Sequence, residues 1–401
     1  MTVHRIEGAS DPSIHALVIG VGVYRNCGRT APLGALKRKL LTDLKTPLTC
    51  APISAAYVAH RLIKADWSTS PVKLGSVDVL LSVDPATPWP DDLPRPASEP
   101  AVYDNVKGAW RAWVDRCNRN PDNIALLYFC GHGWGGMQHY LLVEDFAEKV
   151  DQWPYRMIDF NRTRLSMQTC DALTQCFLLD ICSNEPDGLA ALRIQPPDLI
   201  VDNREEAELR MQDEERMPNN LVLKPTPNGY ANIVRPGKVT PFADAFVKTL
   251  DGLGAIEENG FWDVRSRYLE LKMREVLDWF WPDLRGGKRL HLTPGEYGHD
   301  TVLRRFQDAP MVPFRLVCDP DTARSSAHWE LECLKTDARH QQPGPGVWEA
   351  ETEASSYNIT VNWNDGVHDP VKLRAVSIKP ANATAPIIFK DRTPETEGRV
   401  D

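Results

Sequence analysis

The chain has 401 residues, a net charge of −9, 42% hydrophobic and 25% charged residues. Those values exclude wholesale disorder and offer no basic footprint for nucleic acid or an anionic membrane surface, and the length favours two domains. The N-terminus lacks the apolar core of a signal peptide, no apolar run approaches the ~18 residues of a membrane span, and nine scattered cysteines without a CxxC pair read as reduced thiols, so the expectation is a soluble cytoplasmic protein without metal or cofactor.

In chain order, His15 to Tyr24 reads as a buried strand ending in Gly20-X-Gly22. That pair is half of a dinucleotide fingerprint, and its third glycine position is Arg25. A nucleotide-binding α/β enzyme is therefore a weak competing reading. Residues 26–50 are basic and irregular, and 53–63 carry one apolar helical stripe. Val77–Ser82 is a second strand, followed by six prolines between Pro85 and Pro100 that mark a surface loop. Val106–Cys117 is an amphipathic helix with Val106, Ala109, Trp110 and Trp113 on its inner side. Ile124–Phe129 is a short apolar run that enters Gly131-His132-Gly133. Tyr140–Val143 follows as a strand, 163–174 as a helix, and Gln175–Ile181 as a further apolar strand leading to Cys182. Alternating strands and helices predict a mostly parallel sheet flanked by helices, with ligands gathering at the carboxyl ends of its strands.

Residues 198–217 hold eight acids against three arginines and read as a solvated or regulatory loop. Short strands at 221–224 and 230–234 precede a helix opened by Thr240-Pro241, and Leu269–Phe280 forms another helix. From about residue 311 the period changes to strict alternation: 313–318, 329–333, 357–363 and 371–378. That pattern predicts a small antiparallel β domain, sandwich-like, over 311–390, with a loose tail at 391–401. The first domain is taken as residues 1–300.

The candidate chemistry is nucleophilic. A thiol becomes a strong nucleophile once an imidazole takes its proton, and that imidazole returns it to the leaving amine. His132 and Cys182 each stand at a strand end, a placement rigid enough for the pair to work together. The backbone N–H groups of Gly133 and Cys182 are candidates for holding the oxyanion.

Tyr128-Phe129-Cys130-Gly131-His132-Gly133 and Leu179-Asp180-Ile181-Cys182, with the opening strand 15–24, resemble the caspase-like cysteine peptidases, including metacaspases, paracaspases and CHAT-type domains, over residues 12–285. The His-to-Cys spacing agrees with that family. The resemblance implies a caspase-like fold and a Cys–His dyad, His132 with Cys182, that hydrolyses peptide bonds in protein substrates without a metal. It implies a prokaryotic signalling or defence setting. It also implies a zymogen activated by cleavage after the catalytic strand, by the chain itself or by an upstream protease; Arg193, Arg204, Arg210 and Arg216 are the candidate processing sites.

Basic-specific members of the family place acids in the P1 pocket. Asp180 matches one such position, whereas Ser54 stands where another acid is usual and no acid matches a third position near Tyr230. Arg or Lys at P1 is the resulting expectation. Cys182-Ser183-Asn184 also departs from the family's Cys-His-Ser-Gly. The remaining competitor is a catalytically inactive scaffold or adaptor of the same fold, acting through its β domain.

Overall fold

The long strands β2 (Ser13–Val21), β4 (Ile124–Gly131) and β8 (Thr174–Ile181) are buried along their whole length. Strands with no solvent face belong inside a sheet covered on both sides, and their sequences are accordingly apolar runs without alternation. In the computed structural model they form the middle of a six-stranded sheet, ordered β1-β3-β2-β4-β8-β9, where β1 is Thr2–Arg5, β3 is Lys73–Ser82 and β9 is Asn219–Leu223. β1 runs antiparallel to β3, and every other pairing is parallel. The fold class is therefore α/β with a mostly parallel sheet, as its sequence pattern predicts. The structure describes residues 2–5, 11–27, 44, 46–135, 139–148, 156–181, 207, 218–225, 235–282, 300–319, 325–363, 370–380 and 387–390. Cys182, the four candidate processing arginines, the acidic segment apart from Ala207, the 230–234 strand and the 391–401 tail lie outside the described residues.

One face of the sheet presents Leu17, Ile19 and Val21 of β2, Leu127 and Phe129 of β4, and Phe177, Leu179 and Ile181 of β8 to a single core with Trp110 and Trp113. Both tryptophans come from α2 (Tyr103–Cys117) and pack edge to face at 5.2 Å. Trp113 also donates its indole N–H to the carbonyl of His15 at 2.8 Å, which satisfies its polar end inside the core. Truncating either to alanine would cost about 3–5 kcal/mol.

The opposite face receives α1 (Cys50–Lys64). A Cβ added at Gly20 would lie 2.7 Å from Cβ of Ala55 and 2.8 Å from Cα of Pro52, and one at Gly22 would lie 2.9 Å from Ser82 O. The Gly20-X-Gly22 pair is thus accounted for by a helix lying directly on the strand. Past α2, β5 (Gly133–Gly135), β6 (His139–Leu142) and β7 (Met157–Asp159) make a small antiparallel sheet beyond the carboxyl end of β4. The helix expected over 163–174 is shorter and earlier: α3 is Phe160–Ser166, capped by Asp159, with one 3₁₀ turn at Met167–Thr169. Two further helices, α4 (Pro241–Lys248) and α5 (Leu269–Phe280), start and stop close to their sequence signals.

The chain divides into two compact units, Met1–Asp251 with Val264–Arg305, and Gly252–Asp263 with Phe306–Asp401. Near their chain boundaries lie β10 (Ile256–Glu258), β11 (Phe261–Arg265) and β12 (Val302–Phe306). The second unit carries two further sheets. The first is ordered β16-β13-β19, with β13 at Met311–Asp319, β16 at Trp348–Glu353 and β19 at Ile387–Lys390. The second is ordered β15-β14-β17-β18, with β14 at Ala327–Cys333, β15 at Arg339–Gln341, β17 at Ser355–Trp363 and β18 at Val371–Ile378. Alternating burial along β14 and β17 places Trp329, Leu331, Tyr357, Ile359 and Val361 inside, the expected signature of a half-buried antiparallel sheet. One pairing departs from the antiparallel expectation: β19 runs parallel to β13.

Candidate active site

The segments that precede the expected base and nucleophile in sequence are adjacent strands. β4 and β8 pair in parallel register, Cys130 opposite Asp180 and Gly131 opposite Ile181. His132 and Cys182 are the next residues of the two segments in sequence. The turn carrying His132 closes onto the end of β8: a Cβ at Gly133 would stand 2.7 Å from Cδ1 and 3.0 Å from Cβ of Ile181. Only glycine permits that approach, which gives the Gly-His-Gly sequence a steric reason.

His132 is fixed mainly through its backbone. Its N–H donates to the hydroxyl of Tyr24 at 2.7 Å, and its carbonyl accepts from the N–H of Leu142 at 3.1 Å. The Tyr24 ring lies 5.1 Å from the imidazole, tilted by 42°, and its hydroxyl donates in turn to the carbonyl of Val21 at 3.4 Å. Burial lowers the imidazole pKa to about 4. A histidine held so low is neutral at ordinary pH and therefore free to accept a proton. In the sequence Tyr24 closes the opening strand and its family-like motif, and nothing there signals a contact with His132.

Asp180 and Ser54, the two positions expected to line the P1 pocket, are brought together by a third residue. Asp180 is 2% exposed, and its Oδ2 accepts hydrogen bonds from the hydroxyl of Tyr128 at 2.8 Å and from the hydroxyl of Thr240. Ser54 is fully buried, and its Oγ accepts the Thr240 backbone N–H at 2.9 Å. The Thr240 hydroxyl also caps α4 by accepting from the N–H of Ala243 at 3.2 Å. Both positions thus lie in a buried network, Tyr128–Asp180–Thr240–Ser54, that joins β4, β8, α1 and the start of α4. Asp180 in turn helps push the Tyr128 hydroxyl pKa well above its usual value, after the larger effect of burial. Thr240 carried a sequence signal, its capping position before Pro241, but that signal announced a helix start and not a partner for Asp180.

Four thiols of the first unit are held protonated by burial. Burial pushes Cys27 and Cys176 up to about 12 and holds Cys117 and Cys130 well above the usual range, so these are inert packing groups. In the second unit burial would raise Cys333, but the hydroxyls of Ser355 and Thr336 and the N–H groups of Lys335 and Thr336 bring it to about 7. Among the described residues, no group of three or more His, Cys, Asp or Glu side chains is placed to hold a metal ion. Among them, too, no helix is long and apolar enough to cross a membrane.

No protein-family model matches the chain. The uncharacterized protein y4kE of Sinorhizobium fredii is 24% identical over 287 residues, which are 70% of this chain and 80% of that protein. Among solved structures, the crystal structure of caspase-1 from Spodoptera frugiperda matches with 11% identity and a TM-score of 0.37, covering 75% of this chain and 93% of the other.

Proposed function

We propose that this chain is a cysteine endopeptidase in which His132 is the general base and Cys182 the nucleophile. The observation that carries the reading is the β4–β8 register, which pairs the residues immediately preceding the two catalytic positions. The neutral imidazole of His132 takes the thiol proton as sulfur attacks the peptide carbonyl, and then delivers it to the departing amine. The N–H groups of Gly133 and Cys182 are assigned to the oxyanion. Because the base is neutral in the resting enzyme, proton transfer accompanies attack; a preformed thiolate–imidazolium pair is not required.

Arg or Lys at P1 is the proposed specificity, with Asp180 as its acid. Its carboxylate shares an oxygen with Tyr128 and Thr240, so a substrate cation engages it against that competition and contributes less than an open pocket acid would. Cleavage at Arg193, Arg204, Arg210 or Arg216 is the proposed activating event. Replacing all four arginines would leave the protein inactive until another route of activation is supplied.

The deciding experiment is cleavage of a peptide library by wild type, Cys182→Ala and His132→Ala, read by the P1 residue released. Cleavage by wild type alone supports the dyad. Cleavage that survives Cys182→Ala overturns it. A folded wild type that cleaves nothing and is not labelled at Cys182 by a thiol-reactive electrophile leaves the scaffold reading in its place.

A further inference from the structure

A second site stands at the carboxyl ends of β2 and β3, apart from the P1 positions. There a cleft of about 520 Å³ is lined by Arg25, Arg95, Ser82, Ser98 and Glu144, with Pro96 and Pro100 among its walls. Glu144, 2% exposed, does not cancel both arginines. One of its oxygens accepts the Ser82 hydroxyl at 2.6 Å and the other pairs with Nε of Arg25, whose side chain is 61% exposed. That pairing holds Arg25 at the cleft while most of its side chain stays exposed to a ligand. The backbone is tied down as well: Arg25 N–H donates to the Glu144 carbonyl at 3.0 Å, and Ala101 N–H to Ser82 Oγ at 2.9 Å. Arg95 lies over the Trp89 indole at 5.3 Å, and among the described residues no carboxylate stands within ion-pair distance of it. An arginine held on an aromatic face and not paired to an acid is preorganised for a planar oxyanion.

The place of the cleft in the fold says what that oxyanion belongs to. Arg25 follows Tyr24, whose hydroxyl receives the N–H of His132. The cleft therefore lies along the same strand edge as the proposed catalytic base. We propose that it is a subsite for an acidic side chain of the peptide substrate, with Arg25 and Arg95 taking the carboxylate and the Ser98 hydroxyl available as a further donor. The proposal rests on the peptidase reading for its ligand, a peptide, but not for its chemistry.

The test uses full-length Cys182→Ala protein, which binds without cutting, and two pools of fluorescein-labelled peptides identical except that glutamate in one is glutamine in the other. Fluorescence anisotropy is expected to show the glutamate pool bound about tenfold more tightly at low salt, the preference shrinking as salt rises. Arg95→Gln, in an exposed loop, should abolish the preference, while Arg95→Lys should keep part of it. Arg25→Gln provides the independent second variant, its fold checked by thermal melting. Equal binding of the two pools, or a preference that persists in both glutamine variants, overturns the subsite. Displacement of the glutamate pool by inorganic phosphate at equal strength also overturns it, by marking a site for free anions. If wild type cleaves peptides yet the pools bind equally, the subsite falls and the peptidase stands. If nothing is ever cleaved but the preference and its loss in Arg95→Gln hold, the cleft stands as a site for acidic peptides, its role as a substrate subsite is overturned, and the peptidase falls.

Discussion

Thr240→Val tests whether the Asp180 network holds the strand end to the helices around it. Valine keeps the shape and the branch at Cβ but removes the hydroxyl. The α4 cap is then lost where Ala243 N–H meets Oγ1 at 3.2 Å, a change of about 1 kcal/mol. The buried carboxylate of Asp180 also loses one of its donors, at about 1–3 kcal/mol. The sum, about 2–4 kcal/mol, corresponds to a fall of roughly 1 M in the urea midpoint at a slope of about 3 kcal/mol/M. The backbone bond from Thr240 N–H to Ser54 is retained in this variant, so the loss reports the hydroxyl alone. Urea unfolding followed by both tryptophan fluorescence and far-UV circular dichroism is the assay, with Thr240→Ser as the control that restores the hydroxyl. A Thr240→Val protein within about 0.5 kcal/mol of wild type would refute the reasoning. So would a Thr240→Ser protein as damaged as the valine variant.

The acid limb of kcat/KM should fall near pH 4 and not near 6.5, because burial lowers the free-enzyme pKa of His132 to about 4; a limb near 6.5 in a pH–rate profile removes His132 as the base. Gly133→Ala should cost about 1–3 kcal/mol in a melt and lower turnover, since its methyl would overlap Ile181 Cδ1; Ile181→Val in the same chain should recover part of both losses. Arg116→Met strands Asp78, whose Oδ2 pairs with Arg116 inside the protein, and should cost about 3–5 kcal/mol above pH 7. Burial already raises the Asp78 pKa to about 6 despite Arg116, and losing the cation raises it further, so the deficit should shrink as the carboxyl protonates toward pH 4; a penalty independent of pH contradicts that account. His15, pushed down to about 4 by burial and then by Arg116, takes a proton more readily when unfolded, so stability should decline as pH falls from 6.5 toward 4, and His15→Gln should flatten that slope.

The parts legible in the sequence were those in which one period dominated. The apolar runs at Ile124–Phe129 and Gln175–Ile181 admit few structures, and both are buried strands. Strict alternation made β14 and β17 readable, and Pro241 after a capping threonine fixed the start of α4. Elements without such a signature are not legible in the sequence. β1, Thr-Val-His-Arg, mixes polar and apolar residues and gains its strand character from pairing with β3 across more than 70 positions. The β10–β11 hairpin does carry a local signal, Asn259-Gly260, whose residues both adopt positive φ, 52° and 81°, the requirement of a tight two-residue turn. At the candidate site, the residue types His132, Asp180 and Ser54 were visible in the sequence, but Thr240 joins Ser54 to Asp180 from 186 and 60 residues away. No periodicity encodes a hydrogen bond at that separation. The Gly20-X-Gly22 pattern shows the converse, a nucleotide-like spacing that arises because α1 lies on β2.

The seclusion of His132 has a regulatory corollary. An imidazole that stays uncharged across the cytosolic and the mildly acidic range cannot serve as an acidity sensor. In the proposed peptidase any response to pH would therefore come from other groups, and proton transfer from the thiol would be concerted with attack, because so weak a base does not hold that proton on its own.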